Sequence, residues 1–73
     1  MDTKTNYREI FAKRIKDARG NRTLQEISNA TGIPMITISR YENNKREIGL
    51  ENLCKLAKFY DEDLNYLTGI KDF

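Results

Sequence analysis

Residues 23–46, TLQEISNATGIPMITISRYENNKR, hold two short amphipathic patterns on either side of a glycine and a proline. The first pattern has apolar residues at helical spacing that are expected to face inward: Leu24, Ile27 and Ala30. Gly32 ends that helix, because glycine adopts a positive φ without a steric penalty. Pro34 suits the first position of the next helix, since its fixed φ matches the helical value. The stretch therefore predicts a helix-turn-helix.

The second helix of this pair is expected at about residues 34–43. Ile38 and Tyr41 recur at helical spacing and are its expected core contacts. The outer faces, towards solvent or a ligand, are expected to carry Met35, Ile36, Thr37, Ser39 and Arg40. Residues 43–46 then form the exit loop, in which Asn44 suits a left-handed turn.

Capping signals place the helix before this pair and the start of the pair itself. Asn6 and Glu9 have the spacing of a capping box, which starts helix 1 directly after Asn6. Residues 20–21 end that helix. Its apolar stripe is Ile10, Phe11, Ile15 and Ala18. Thr23 and Glu26 have the same capping-box spacing at the start of helix 2.

Two further helices are expected after the exit loop. Helix 4 begins after Gly49 and carries the apolar run Leu50, Leu53, Cys54, Leu56 and Ala57. Residues 61–62 end it, and Asp63 caps a last short helix that stops at Gly69. That last helix carries the apolar residues Leu64, Tyr66 and Leu67.

Five helices with short connections and no strands predict one compact all-α domain over residues 1–73, with loose ends at 1–5 and 70–73. At 73 residues the chain is near the lower limit for independent folding. Its single cysteine, Cys54, lies in an apolar run, so we expect a core residue and not a nucleophile. A lone cysteine favours a reducing, cytoplasmic setting, and no apolar run has the length of a membrane span.

The arrangements of residues that are typical of common catalytic and metal sites are missing from the sequence. There is no histidine, which is the commonest general base and metal ligand. The acidic cluster at residues 61–63 is expected to be a turn and helix cap, since no EF-hand spacing follows it. No glycine pattern matches a phosphate-binding loop. We therefore expect no enzyme activity, no cofactor, no metal and no small-molecule substrate.

Charge is distributed unevenly along the chain. The net charge is +2, but residues 1–48 carry +4 and residues 49–73 carry −2. The positive part contains the helix-turn-helix, as expected if one face of the molecule meets phosphate. A solvated charged surface is the alternative explanation, since a third of all residues are charged.

Three segments within residues 15–69 share one family spacing: TLQEISNATGIP, TISRYENNKRE and LENLCKLAKFYDEDLNYLTG. Together they resemble the Cro/CI-type helix-turn-helix family of phage and bacterial regulators, also called the XRE family. The resemblance implies a lambda-repressor-like domain whose third helix enters the major groove of double-stranded DNA.

By this resemblance, contacts to base edges come from the start of the third helix and from one turn later. The residues at those positions are Met35, Ile36, Thr37 and Arg40. Arg40 is the leading candidate, because a guanidinium can donate two hydrogen bonds to guanine. Contact with phosphate or solvent is its alternative. Ile36 is expected either to contact a thymine methyl group or to be partly buried against helix 2.

Backbone phosphates are expected on both sides of the third helix. Thr23 and Gln25 lie at the start of helix 2, where free amides and the helix dipole favour an anion. The second group is Ser39, Asn43, Asn44, Lys45 and Arg46. Two positions in this region depart from the family pattern. Leu24 replaces a phosphate-binding glutamine, so that contact is either lost or passed to Gln25, and Pro34 replaces a serine or threonine cap. The amides of Met35 and Ile36 are then available to the DNA backbone instead.

Glu42 has a structural role by the same resemblance. A carboxylate close to phosphates is unfavourable unless it is paired, and in the family it pairs with an arginine late in helix 1. Arg19 occupies that position. The connection at residues 19–23 is about two residues shorter than is usual in the family, so the family's contacts near Arg22 transfer poorly.

The expected function is that of a sequence-specific, repressor-like regulator that binds DNA as a homodimer, since one recognition helix reads only a half-site. The expected dimer contacts are Tyr66, Leu67, Ile70 and Phe73. Alternatively, Leu64 and Leu67 belong to the core. The competing function is a protein-interaction or antitoxin-like module with weak or no DNA binding, in which Met35 and Ile36 form an apolar patch for a partner protein.

Overall fold

The structure is a computed structural model that describes residues 6–70. Within that range the chain forms five helices and no strand, which confirms the predicted all-α fold. The helices are α1 (Tyr7–Arg19), α2 (Leu24–Thr31), α3 (Met35–Glu42), α4 (Leu50–Tyr60) and α5 (Leu64–Thr68). The predictions for residues 1–5, for residues 71–72 and for Phe73 lie outside the described residues.

The predicted capping residues lie at the helix starts. The side chain of Asn6 accepts a hydrogen bond from the amide of Glu9 at 3.2 Å. At α2 the capping box is complete, because Thr23 Oγ1 accepts from the amide of Glu26 at 3.1 Å and Glu26 Oε1 accepts from the amide of Thr23 at 2.9 Å. Asp63 caps α5 by accepting from the amide of Asn65. Local sequence therefore sets where these helices begin.

The corner between α2 and α3 depends on Gly32, whose φ of 78° lies in the left-handed region. Its amide donates to the carbonyl of Ser28 at 2.8 Å and closes α2. The sequence predicted Pro34 as the first residue within α3, and this prediction is wrong. Its ψ of 143° is extended, so it is the N-cap and Met35 is the first helical residue. Asn43, predicted to be the last helical residue, is the C-cap.

One apolar core joins all five helices. Its fully buried side chains are Ile15, Ile27, Ile33, Ile38, Leu56 and Leu67. α2 packs on α3 and on α4, while α1 contacts α3, α4 and α5. The helix-turn-helix is thus held from behind by α1 and α4, which leaves the outer side of α3 uncovered.

Three residues from the predicted apolar patterns are exposed instead. Cys54 lies on the surface, because the buried stripe of α4 consists of Leu56, Ala57 and Tyr60 with Leu53 half-buried, and Cys54 lies outside it. Leu50, at the first turn of α4, is 73% exposed. Ala30 is also exposed, because α2 turns the half-buried Thr31 towards the core at its last turn. The periodicity assigned these residues to the wrong side of their helices.

Candidate DNA interface

The outer side of α3 carries the residues predicted to contact bases. Ile38, Tyr41 and Glu42 are buried and define the inner side. At 3.6 residues per turn, Ile36 and Arg40 lie about 40° apart on the opposite side. Both are exposed, and Ile36 has 59% of its surface accessible. Burial against α2, which the sequence left open for Ile36, is therefore not what the structure shows.

Met35 and Thr37 border this outer side, with Met35 42% exposed and Thr37 half-buried. Within residues 6–70, no side chain caps α3 by a hydrogen bond. The carbonyl of Pro34 accepts from the amides of Thr37 and Ile38 at 3.0 and 3.1 Å. The two preceding amides, of Met35 and Ile36, lie in the first turn and have no intrahelical acceptor. The start of α3 therefore presents free N–H donors beside the exposed apolar side chains.

The loop of residues 43–49 leaves α3 through a tight turn. Asn43 Nδ2 donates to the carbonyl of Ser39 at 2.9 Å and to its hydroxyl at 3.3 Å. Asn44 has a φ of 57°, the left-handed conformation predicted for it. The amide of Lys45 then donates to the carbonyl of Arg40 at 2.8 Å. This turn brings the exposed side chains of Lys45 and Arg46 next to the end of α3.

The start of α2 is less open to an anion than the sequence suggested. The amide of Thr23 donates to the Glu26 carboxylate at 2.9 Å, and the Thr23 hydroxyl lies 3.4 Å from the same oxygen. A phosphate at Thr23 would meet this negative charge. Gln25 is exposed and donates to Asn29 Oδ1 at 2.8 Å. Of the two predicted residues, Gln25 is the better placed for a phosphate.

Arg19 and Glu42 form the ion pair that the sequence expected. Arg19 Nε and Nη2 donate to the two carboxylate oxygens of Glu42 at 2.8 and 3.0 Å. The hydrogen bond to Glu42 raises the pKa of Arg19, so the guanidinium stays charged. The negative charge of the buried Glu42 carboxylate is thereby balanced by Arg19.

Arg22 is held by the domain itself. Its guanidinium lies 5.4 Å from the ring centre of Phe59 and 5.8 Å from that of Tyr60. Arg22 Nη1 also donates to the carbonyl of Ala18 at 3.2 Å. Arg22 thus ties the α1–α2 connection to the end of α4 by cation–π contacts.

The contacts of two side chains near α3 were not predicted from the sequence. Asn52 of α4 donates to the Tyr41 hydroxyl at 3.0 Å and so fixes the end of α3 against α4. Arg8 of α1 shares a groove with Asn44 and Arg46. Both arrangements join residues that are far apart in the chain, so no local pattern could have indicated them.

The residues predicted to form a dimer surface are divided by the structure. Leu67 has no exposed surface and belongs to the core, so its prediction as a dimer contact is wrong; the alternative was correct for Leu67. Leu64 is 39% exposed. Tyr66 is half-buried, with the Arg14 guanidinium 4.4 Å from its ring centre. Ile70 is 69% exposed and remains available.

The sequence matches the family model described as helix-turn-helix over residues 13–67, well over half of the chain. The chain belongs to the Cro/CI-type (XRE) helix-turn-helix family. It therefore has a lambda-repressor-like fold and is a DNA-binding helix-turn-helix regulator. No curated protein and no solved structure gives a significant match.

Family membership covers most of the candidate interface but not all of it. The matched residues include α2, α3 and the Arg19–Glu42 pair, whereas the first turns of α1, with Arg8, lie before them.

The helix-turn-helix family is a DNA-binding family and not an enzyme family. Within residues 6–70, no group of acidic or cysteine side chains is arranged to hold a metal ion. In that same range, every helix is too short or too polar to cross a membrane.

Proposed function

We propose that this protein is a sequence-specific, repressor-like transcriptional regulator in which α3 enters the major groove. The observation that carries the proposal is the outer side of α3, where the exposed Ile36 and Arg40 lie opposite the buried Glu42. An exposed β-branched side chain beside an exposed arginine is a poor surface for water alone. It matches two neighbouring bases in the major groove, one that offers a methyl group and one that offers paired hydrogen-bond acceptors.

Each residue on α3 has a distinct role in this proposal. Arg40 donates two hydrogen bonds to the O6 and N7 atoms of a guanine. Ile36 contacts a thymine methyl group, with Met35 and Thr37 bordering the neighbouring base pairs. The free amides at the start of α3 approach the sugar–phosphate backbone, where Pro34 offers no hydroxyl.

Phosphate contacts position α3 in the groove without selecting sequence. The group at the end of α3 and in the loop after it consists of Ser39, Asn43, Asn44, Lys45 and Arg46. Thr23 and Gln25 extend it at α2, where Gln25 makes the larger contribution because Thr23 is bonded to Glu26. Lys45 and Arg46 supply most of the affinity, since they alone in this set carry charge.

A homodimer completes the proposal, because one α3 reads only a half-site and two half-sites lie about one helical turn of DNA apart. The surface proposed for the dimer contains Tyr66 and Ile70, with Phe73 as a further candidate. Sedimentation of the protein with and without a two-half-site duplex tests this step. The cytoplasm is the proposed location, in keeping with a DNA partner.

A second candidate function uses the same apolar surface. Met35 and Ile36 are 42% and 59% exposed, so α3 could equally present them to a partner protein, as in an antitoxin-like module. The salt dependence of DNA binding separates the two functions. A protein that neutralises six to ten phosphates loses roughly 10³–10⁵ in affinity between about 50 and 200 mM salt. No binding to any duplex near 50 mM salt would instead favour the protein-interaction function.

A further inference from the structure

A groove of about 190 Å³ lies between the first turns of α1 and the loop of residues 43–49. Its apolar lining comes from the buried Phe11 and the half-buried Ile48 and Leu53. Two exposed arginines line the same groove, Arg8 from α1 and Arg46 from the loop. The groove therefore combines an apolar wall with two guanidinium groups from different parts of the chain.

Neither guanidinium has a partner among the residues that the structure describes. The other arginines of α1 differ in this respect. Arg14 donates to the carbonyl of Tyr66, and Arg19 is paired with Glu42. Those two arginines hold the fold together, whereas Arg8 is exposed and makes no such contact. Its charge is available to a ligand outside the chain.

We infer that Arg8 is an additional contact to the DNA backbone. It binds, together with Arg46, the phosphates next to the base pairs that α3 contacts. This inference rests on the proposed DNA-binding function. Arg46 belongs to the loop directly after α3, so a phosphate that reaches Arg46 enters the groove that Arg8 also lines. A guanidinium presents paired N–H donors that match two phosphate oxygens. The apolar wall lowers the local dielectric and strengthens the attraction.

Glu47 opposes this role, because its exposed carboxylate lines the same groove. The groove thus carries two positive groups and one negative group, and its net charge is positive. The charges of Glu47 and Arg46 cancel, so the net positive charge of the groove comes from Arg8. Without Arg8 the groove would offer a phosphate no net attraction.

The test is the salt dependence of DNA binding by Arg8→Gln, measured by fluorescence anisotropy on the full chain. We expect weaker binding to every duplex and a salt slope that is smaller than that of the wild type by about one unit. Lys13→Gln is the matched control, because it removes the same charge from the same helix. Lys13 is exposed, is paired with Asp17 at 3.5 Å and does not line the groove.

The outcomes separate the inference from the proposed function. If the wild type binds DNA and Arg8→Gln has the same slope as Lys13→Gln, the inference fails while the proposed function stands. If the wild type binds no duplex, both fail. Circular dichroism melting checks that Arg8→Gln is folded, as expected for an exposed side chain.

A charge change of the opposite sign gives an independent measurement. Glu47→Gln removes the carboxylate from the groove, so we expect it to tighten binding to all sequences at low salt. Glu51→Gln is the matched control, since Glu51 is exposed and lies 3.2 Å from Lys55 on α4. Equal tightening by both substitutions would reflect net charge alone and would contradict a phosphate site in the groove.

Discussion

Arg19 and Glu42 join the last turn of α1 to the last turn of α3 through two hydrogen bonds of 2.8 and 3.0 Å. The Glu42 side chain is 5% exposed and that of Arg19 is 21% exposed. A pair this well aligned offsets the cost of removing both charges from water. It also fixes the direction of α3, on which the proposed contacts to base edges depend.

Glu42→Ala is expected to lower the free energy of unfolding by about 3 kcal/mol, because it leaves the Arg19 guanidinium half-buried and unpaired. A domain of this size has only about 4–11 kcal/mol in total. Urea denaturation followed by circular dichroism measures the loss.

The double variant Arg19→Met with Glu42→Leu is the control for that prediction. Replacing both partners by apolar residues removes the buried charge altogether, so we expect less than half of the single-variant loss. A double variant that is as unstable as Glu42→Ala would contradict the assignment of the loss to an unpaired charge.

The raised pKa of Tyr60 predicts that the folded state loses stability at alkaline pH. Its hydroxyl is buried and has no hydrogen-bond partner among the described residues. Burial, and to a smaller extent the charge of Glu42, raises the pKa of Tyr60 to about 12. The unfolded chain releases the same proton near pH 10. The stabilising effect is complete below pH 10 and is lost as the pH rises to 12, by about 2 kcal/mol.

Comparison with Tyr60→Phe isolates this effect from the other alkaline titrations. At pH 8 the variant should be at least as stable as the wild type, because the deleted hydroxyl makes no hydrogen bond to any described residue. The difference in unfolding free energy should then grow in favour of the variant between about pH 10 and 12. A difference that stays constant with pH would show that Tyr60 titrates normally.

Arg40→Ala is expected to relax the preference at one base pair and to leave the fold intact, since Arg40 is exposed. Losing a bidentate contact to guanine reduces discrimination at that position by about 1–3 kcal/mol. Competition binding with duplexes substituted at each position measures this change. Equal weakening for every duplex would make Arg40 a phosphate contact.

Lys45→Ala is expected to behave in the opposite way. Its exposed ammonium follows α3 and is proposed to contact phosphate, so its loss should weaken binding to all sequences alike. The slope of affinity against salt should become smaller by about one unit. A slope equal to that of the wild type would remove Lys45 from the phosphate-contacting set.

Local sequence predicted the helix boundaries well because capping is a local interaction. Asn6, Thr23 and Asp63 each bond to an amide two or three residues further on, and Gly32 ends α2 by its own conformation. The Arg19–Glu42 pair was expected from the family resemblance and lies where that resemblance placed it.

Apolar periodicity does not determine whether a residue at the border between the inner and outer sides of a helix is buried or exposed. Cys54 and Ala30 have apolar neighbours at helical spacing, yet the packing of α2 against α4 leaves both exposed. Leu67 was assigned to a dimer surface because a core of 73 residues was not expected to bury every large apolar side chain. The sequence does not show which of these side chains the core buries, and Leu67 is one of them. The groove of Arg8 and Arg46 depends on tertiary packing and has no local signal.

Selection of binding sites from random duplex DNA by the wild-type chain tests sequence-specific DNA binding most directly. We expect enrichment of a motif in which two half-sites lie about one helical turn apart and each contains a guanine. The Arg40→Ala variant should no longer require that guanine. Recovery of no motif, together with negligible binding to any duplex near 50 mM salt, would contradict sequence-specific DNA binding.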